Sequence, residues 1–173
     1  MLGAIIGDIV GSRFEFVEDD NRGKDFAFFT KSCRFTDDSC MTLAIAKALF
    51  LCKGDYSKLR QNTISCMQEL GRAYPNAGYG YNFYHNWLMS SNPKPYNSYG
   101  NGSAMRVSPV AWVADSEEQL KELSLMVTDV THNHPEGIKG AEAIAMGICL
   151  ARQGKNKQEI REKQRNEAYQ KQL

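Results

Sequence analysis

The sequence predicts an all-α fold, and three observations predict it. Apolar residues recur at spacings of three and four, alternating runs long enough for a sheet are lacking, and 173 residues with 42% hydrophobic content suffice for one real core. We expect a single domain over residues 1–173, built from six or seven helices with long loops at about residues 15–35 and 92–102. No internal repeat or linker divides it.

The N-terminal stretch, residues 1–11, is apolar and glycine-punctuated, reading as a helix interrupted by Asp8. It has no basic leader, and Asp8 breaks it before it could act as a signal peptide or membrane span, so a cytoplasmic protein with no membrane partner is expected. Beyond it, Glu15 heads a charged loop. A surface glutamate is the bland account. Loop placement would also let Glu15 move to bind a ligand hydroxyl or position a water. Residues 25–30 are the best strand candidate, but the run is short and lies among charges.

The next helix has apolar positions Met41, Ala44, Ile45, Ala48, Leu49 and Cys52, and it opens with Thr36, Asp37 and Asp38 in its first turn. Two carboxylates there gain from the positive helix end. A hydroxyl beside two carboxylates is also a hard-oxygen set suited to Mg²⁺, Mn²⁺ or Ca²⁺. The competing account is a plain N-cap.

Residues 97–109 are dense in small, polar and glycine residues before the apolar run 110–114. Gly100 and Gly102 are expected to reach positive φ and let the backbone approach a bound group. Asn101 and Ser103 would offer donors at a helix start, where a phosphate-bearing ligand is the natural guess. A turn that merely caps a helix is the alternative. A further helix follows through Leu120, Leu123, Val127 and Val130. The segment from Thr131 to Glu136 then places His132 and His134 before Pro135, which suits a first helical position. Either histidine could contact a phosphate or ribose, or act only as a cap or packed core group. Ile138, Ala141, Ala145, Ile148 and Cys149 continue the helical period.

Charge excludes one class of partner. Residues 152–173 hold seven Lys/Arg against three Glu, net +4, which leaves 14 against 17, net −3, for the body. A negative body with one short basic tail does not suit nucleic acid. Five cysteines, an odd number with no C-x-x-C pair, suggest neither a disulfide framework nor a zinc knuckle.

Four motifs occur in a telling order: Gly7-Asp8 with Gly11 and Glu15; Phe35-Thr36-Asp37-Asp38-Ser39 with Met41-Thr42-Leu43; Tyr99-Gly100-Asn101-Gly102-Ser103-Ala104-Met105-Arg106 with Pro109; and Thr131-His132-Asn133-His134-Pro135 with Gly140-Ala141. Ala77-Gly78-Tyr79-Gly80 and Trp87 lie between them. Singly these motifs are weak; in this order and spacing the chain resembles the ADP-ribosylglycohydrolase family, from residue 3 to about 162.

The resemblance implies an all-α, dinuclear magnesium hydrolase that cleaves the bond between ribose C1″ of ADP-ribose and its acceptor. It implies that Thr36, Asp37 and Asp38 supply half the metal site and that Glu15 is a loop carboxylate near the scissile ribose. It also implies that residues 99–105, Tyr99 and Met105 included, cradle diphosphate and ribose, with His132 or His134 beside the nucleotide. Glycosidic cleavage through an oxocarbenium-like state needs nearby carboxylates, and paired metals about 3.5–4 Å apart orient hydroxyls and water.

The family carries a later Asp-x-Asp-Thr/Ser motif completing the metal pair, and no such tetrad is present; Asp19-Asp20, Asp115 and Asp129 lack its form. The expectation is a helical bundle incomplete at its C-terminus: a natural short form, a truncated product, or a subunit completed by another chain. The tail from residue 162 offers only Ala168, Tyr169 and Leu173 as apolar residues, too few to seal an exposed core. A homo-oligomer or a second chain is therefore expected, with ADP-ribose or an ADP-ribosylated substrate as ligand. An ADP-ribose-binding protein with little turnover is the alternative to the enzyme.

Overall fold

Helix starts follow the capping side chains. The computed structural model describes residues 1–15 and 25–170, with side chains as far as residue 165. Helix α1 spans Leu2–Gly11, α2 Asp37–Cys52, α3 Leu59–Ala73, α4 Val110–Val113, α5 Glu117–Thr128, α6 Pro135–Arg152 and α7 Lys157–Gln170. A 3₁₀ turn lies at Tyr56–Lys58 and a π-helical turn at Phe83–Leu88. No strand occurs among the described residues, those at 25–30 included, so the protein is all-α. Asp19, Asp20 and the rest of the loop at 16–24 lie outside the described residues, as do Leu173 and the side chains of Ala168 and Tyr169.

Thr36, in extended conformation, accepts a hydrogen bond from the Asp38 N–H and starts α2. Ser116 does the same for α5 through the Gln119 N–H at 3.1 Å, and His134 for α6 through the Glu136 N–H at 3.1 Å, with Pro135 in the first turn. Helix α2 stops where Lys53 and Gly54 turn left-handed, at φ 50° and 93°.

Helix α2 is the centre of the molecule. Met41, Ala44, Ile45 and Ala48 are wholly buried because α1, α3 and α4 pack around it. A side chain of this kind contributes about 1.5–3 kcal/mol when fully buried. Helices α5 and α6 form a second pair, joined to the first through α3 and α4, with Leu120, Leu123 and Val127 facing Ala141 and Ala145 in the shared core. Gly71 lets α3 meet the π-helical turn: a Cβ there would fall 2.5 Å from Leu88 Cδ1. Helix α7 lies on α6, Gln164 donating to the Ala143 carbonyl at 2.9 Å, and reaches the start of α5 through Lys163 and Glu117 at 2.9 Å. No helix among the described residues is long and apolar enough to cross a membrane.

The segment between the π-helical turn and α4 is laid against the α5–α6 corner. Tyr96 N–H donates to the Thr131 carbonyl at 3.2 Å, Asn97 N–H to Asn133 Oδ1 at 2.7 Å, and Ser103 Oγ to the Gly137 carbonyl at 3.2 Å. Two expectations for this loop are corrected. Residues 101–106 form turns and do not open a helix; α4 begins only at Val110 and has four residues. Neither Gly100 nor Gly102 is left-handed; the positive φ values fall at Asn97, Gly78 and outside the loop. The physical reason is lateral anchoring: the Arg106 side chain takes the Gly102 carbonyl, which a helical ladder would use, and Ser103 Oγ ties the loop to the Gly137 carbonyl. A single helical bond therefore forms, Met105 N–H to the Asn101 carbonyl at 3.0 Å, and the helix-start argument for an anion does not apply here.

Candidate functional site

An aspartate inside an apolar helix must find donors. Asp8, on α1, accepts from Thr36 N–H at 2.8 Å and Ser39 N–H at 3.1 Å, and from the hydroxyls of Thr36 and Ser39, each at 2.5 Å. It thus binds the first turn of α2 from a neighbouring helix and holds Thr36, Asp37 and Asp38 in place. Asp37 N–H meanwhile donates to the Ala77 carbonyl at 2.8 Å.

Four carboxylates crowd this corner. Burial, then Asp38, then Glu15 and Asp8 push the Asp37 carboxyl up to about 7. Asp38 is raised by burial and then by Asp8 and Glu15. Mutual repulsion of this kind is what a bound cation relieves. Thr36 donates its hydroxyl proton to Asp8 and accepts from Asp38 N–H, leaving one oxygen lone pair free. Among the described residues no three His, Cys, Asp or Glu side chains are grouped to hold a metal unaided.

Beside this corner is a cavity of about 210 Å³. Asp37 and Met41 of α2, Gly100, Asn101, Gly102 and Met105 of the loop, and His132 with Arg106 line it. Gly80, Phe83, Tyr96 and Ser98 complete it. The helix opening with two carboxylates and the glycine loop, over sixty positions apart in the chain, therefore share one space. A Cβ on Gly102 would lie 3.2 Å from both Cε1 and Nε2 of His132, so glycine is needed for close approach and not for φ. Gly137 does the same at the start of α6, where a Cβ would meet the Ser98 carbonyl oxygen at 2.8 Å.

Beneath the loop Arg106 is 1% exposed. Its guanidinium donates to the Gly102 carbonyl at 3.2 Å, the Val127 carbonyl at 3.0 Å and Thr131 Oγ1 at 2.8 Å. Burial lowers its pKa to about 10. Burial and then the Arg106 charge lower His132 to about 4, so the ring is neutral at physiological pH.

Of the residues expected to form a site, Asp37, Gly100, Asn101, Gly102, Met105 and His132 line the cavity. Thr36 and Asp38 adjoin Asp37. Glu15 is exposed in the turn after α1, near enough to raise both aspartates. Ser103 is buried under the loop and committed to Gly137. His134 caps α6, and its ring meets the exposed Tyr99 with centroids 5.4 Å apart, outside the cavity lining. Sequence reasoning singled out neither Arg106 nor Asp8 as a site residue. The signal for Asp8 was its position in an apolar run; for Arg106 it was a charge followed directly by the apolar stretch 107–113.

Comparison with known proteins assigns the chain to a family. The family model described as ADP-ribosylglycohydrolase matches residues 1–172. The chain is 25% identical to human ADP-ribosylhydrolase ARH3 over 189 residues, covering 92% of this chain and 50% of that protein. It is 26% identical to the Mus musculus ADP-ribosylhydrolase ARH3 over 184 residues, covering 89% and 48% respectively. The chain thus spans about half the length of the curated relatives it matches. Its fold, its helix-start carboxylates beside a glycine loop and this match together place the chain in the ADP-ribosylglycohydrolase family.

Proposed function

We propose that the chain binds ADP-ribose in the cavity between α2 and the glycine loop and hydrolyses the glycosidic bond joining ribose C1″ to its acceptor. The observation that carries this is that Asp37 and Gly100–Gly102 line one cavity. Its volume encloses only part of a dinucleotide-sized ligand, the remainder lying over the exposed Tyr99.

Within this reading, the loop backbone and His132 bind diphosphate and ribose, and the fixed loop geometry orients the scissile bond toward the carboxylates. Glu15 holds a ribose hydroxyl or accepts the proton of the attacking water at its carboxylate; the water oxygen bonds to C1″ as the C1″–acceptor bond breaks, and its electron pair leaves with the acceptor atom, which takes a proton from solvent. Thr36, Asp37 and Asp38 suit a hard cation: the crowded charge and the free lone pair on Thr36 Oγ1 are the supporting observations. Mg²⁺ bound there would supply positive charge to orient hydroxyls and water.

The test is release of free ADP-ribose from a mono-ADP-ribosylated protein by the purified chain with Mg²⁺, alongside calorimetry with ADP-ribose. Turnover supports the hydrolase. Neither binding nor turnover overturns the proposal. Binding without turnover favours the second reading, a subunit completed by association.

An apolar cleft of about 650 Å³ favours that second reading. It is lined by Leu2, Leu49, Phe50, Trp112 and Val113, with Leu2 73%, Phe50 79% and Trp112 53% exposed. We infer that a second copy of the chain covers it, since a contiguous apolar patch of this kind favours association.

A further inference from the structure

We infer that Arg106 and Thr131 are positioning residues that hold His132 in the tautomer with its proton on Nε2, so that the ring presents an N–H donor to the glycine-loop cavity. The inference rests on the proposed function only for what accepts that hydrogen bond, an oxygen of the ADP-ribose diphosphate or ribose.

The chain of donors can be followed atom by atom. Thr131 Oγ1 accepts from the Arg106 guanidinium at 2.8 Å. Its single hydrogen has two candidate acceptors, His132 Nδ1 at 2.6 Å and the Thr128 carbonyl at 3.4 Å. The nearer takes it. Were Nδ1–H the donor, the hydroxyl hydrogen would be left only the Thr128 carbonyl at 3.4 Å, beyond the range of a good hydroxyl donor, so the geometry favours the proton on the oxygen and not on Nδ1. The guanidinium polarises the hydroxyl it donates to and makes it a stronger donor in turn. With Nδ1 an acceptor and the ring neutral, the ring proton is on Nε2.

That edge faces the ligand space. His132 lines the cavity, and Nε2 with Cε1 forms the edge that a side chain on Gly102 would strike. Arg106 also orders the adjoining loop, because the same guanidinium holds the Gly102 carbonyl at 3.2 Å. A buried guanidinium whose recorded partners are two carbonyls and one hydroxyl, with Nε lacking a hydrogen bond, is a costly way to fill space. An apolar side chain of like volume would fill it without that cost. What the charge adds is one rigid frame for loop and histidine.

The test is the tautomer of His132, read from two-bond ¹⁵N–¹H spectra of the free protein, with resonances assigned by their loss in His132→Asn. The wild type is expected to show a pyrrole-type Nε2 and a pyridine-type Nδ1. Thr131→Val removes the hydroxyl at constant shape and should mix the tautomers and weaken ADP-ribose binding about tenfold, the loss expected for one hydrogen bond to a charged ligand. Thr131→Ser keeps the hydroxyl and should restore both. A wild-type proton on Nδ1 overturns the inference, as does Thr131→Val with tautomer and affinity unchanged. Should Thr131→Val fail to fold, the wild-type spectrum still decides. An Nε2 proton in a wild type that does not bind ADP-ribose supports the relay and overturns the ligand.

Discussion

Replacing Asp8 by alanine tests how the corner that carries the candidate site is built. The substitution removes the acceptor for two backbone N–H groups, of Thr36 and Ser39, and for the two hydroxyls of the same residues. The hydroxyls can rotate toward other partners. The N–H groups cannot: Ser39 is in the first turn of α2, where no carbonyl one turn earlier exists to receive it. Each orphaned donor costs about 1–3 kcal/mol. Relief of repulsion between Asp8 and the two aspartates beside it returns on the order of 1 kcal/mol at the intermediate dielectric of such a corner. Taking about 2 kcal/mol for each donor, the net loss is about 3 kcal/mol within a range of about 1–5, a fall in melting temperature of about 6–12 °C at the central value for a domain of this size. Both N–H groups donate to the same oxygen, Oδ2, so Asp8→Asn with its amide oxygen there orphans neither and should lose well under half as much. Thermal unfolding followed by circular dichroism measures both. A melting temperature for Asp8→Ala within about 2 °C of wild type would refute the claim that this carboxylate fastens α1 to α2, since that is less than one orphaned donor is worth.

Gly102→Val brings branched carbon against His132, which is buried and fixed by Thr131; about 1–3 kcal/mol of destabilisation is expected in chemical denaturation, together with weaker ADP-ribose binding. Unchanged stability would show that the ring can yield. Hydrogen bonds from Lys121 and Lys163 depress the Glu117 carboxyl to about 2, so its contribution is present above about pH 4.5 and is lost as pH falls toward 2. All three side chains are over a third exposed and screened, so this is worth under about 1 kcal/mol. Glu117→Gln should melt below wild type at pH 6 and level with it near pH 2; an equal gap at both would mean the ion pairs are not its source. Light scattering at micromolar concentration should give a mass above 19.5 kDa, reduced to the monomer by Phe50→Glu in the apolar cleft. A cooperatively melting 19.5 kDa wild type would refute association through that cleft.

The helices were legible in the chain because their signals are local. Thr36, Ser116 and the His134-Pro135 pair cap α2, α5 and α6 within two or three residues of the groups they satisfy, and the apolar spacing of α2 runs unbroken from Met41 to Cys52. The candidate ligand residues were legible for a similar reason: carboxylates at a helix start and glycines in a polar loop are unusual where they stand. What they share, and what supports them, was not. The glycines suggested positive φ, and Asn101 and Ser103 a helix start. The loop took neither, because Arg106, Ser103 and Gly137 hold it from the side. Asp8 read as an interruption until α1 lay across the start of α2. His132 could not be told from His134 by type, yet one is a buried neutral ring on the cavity and the other a cap. Periodicity and capping act over one or two turns and are written in consecutive residues. A buried carboxylate's donors, a buried guanidinium's acceptors and the gap that requires glycine come from segments brought together only by packing, and these tertiary contacts alone decided the site.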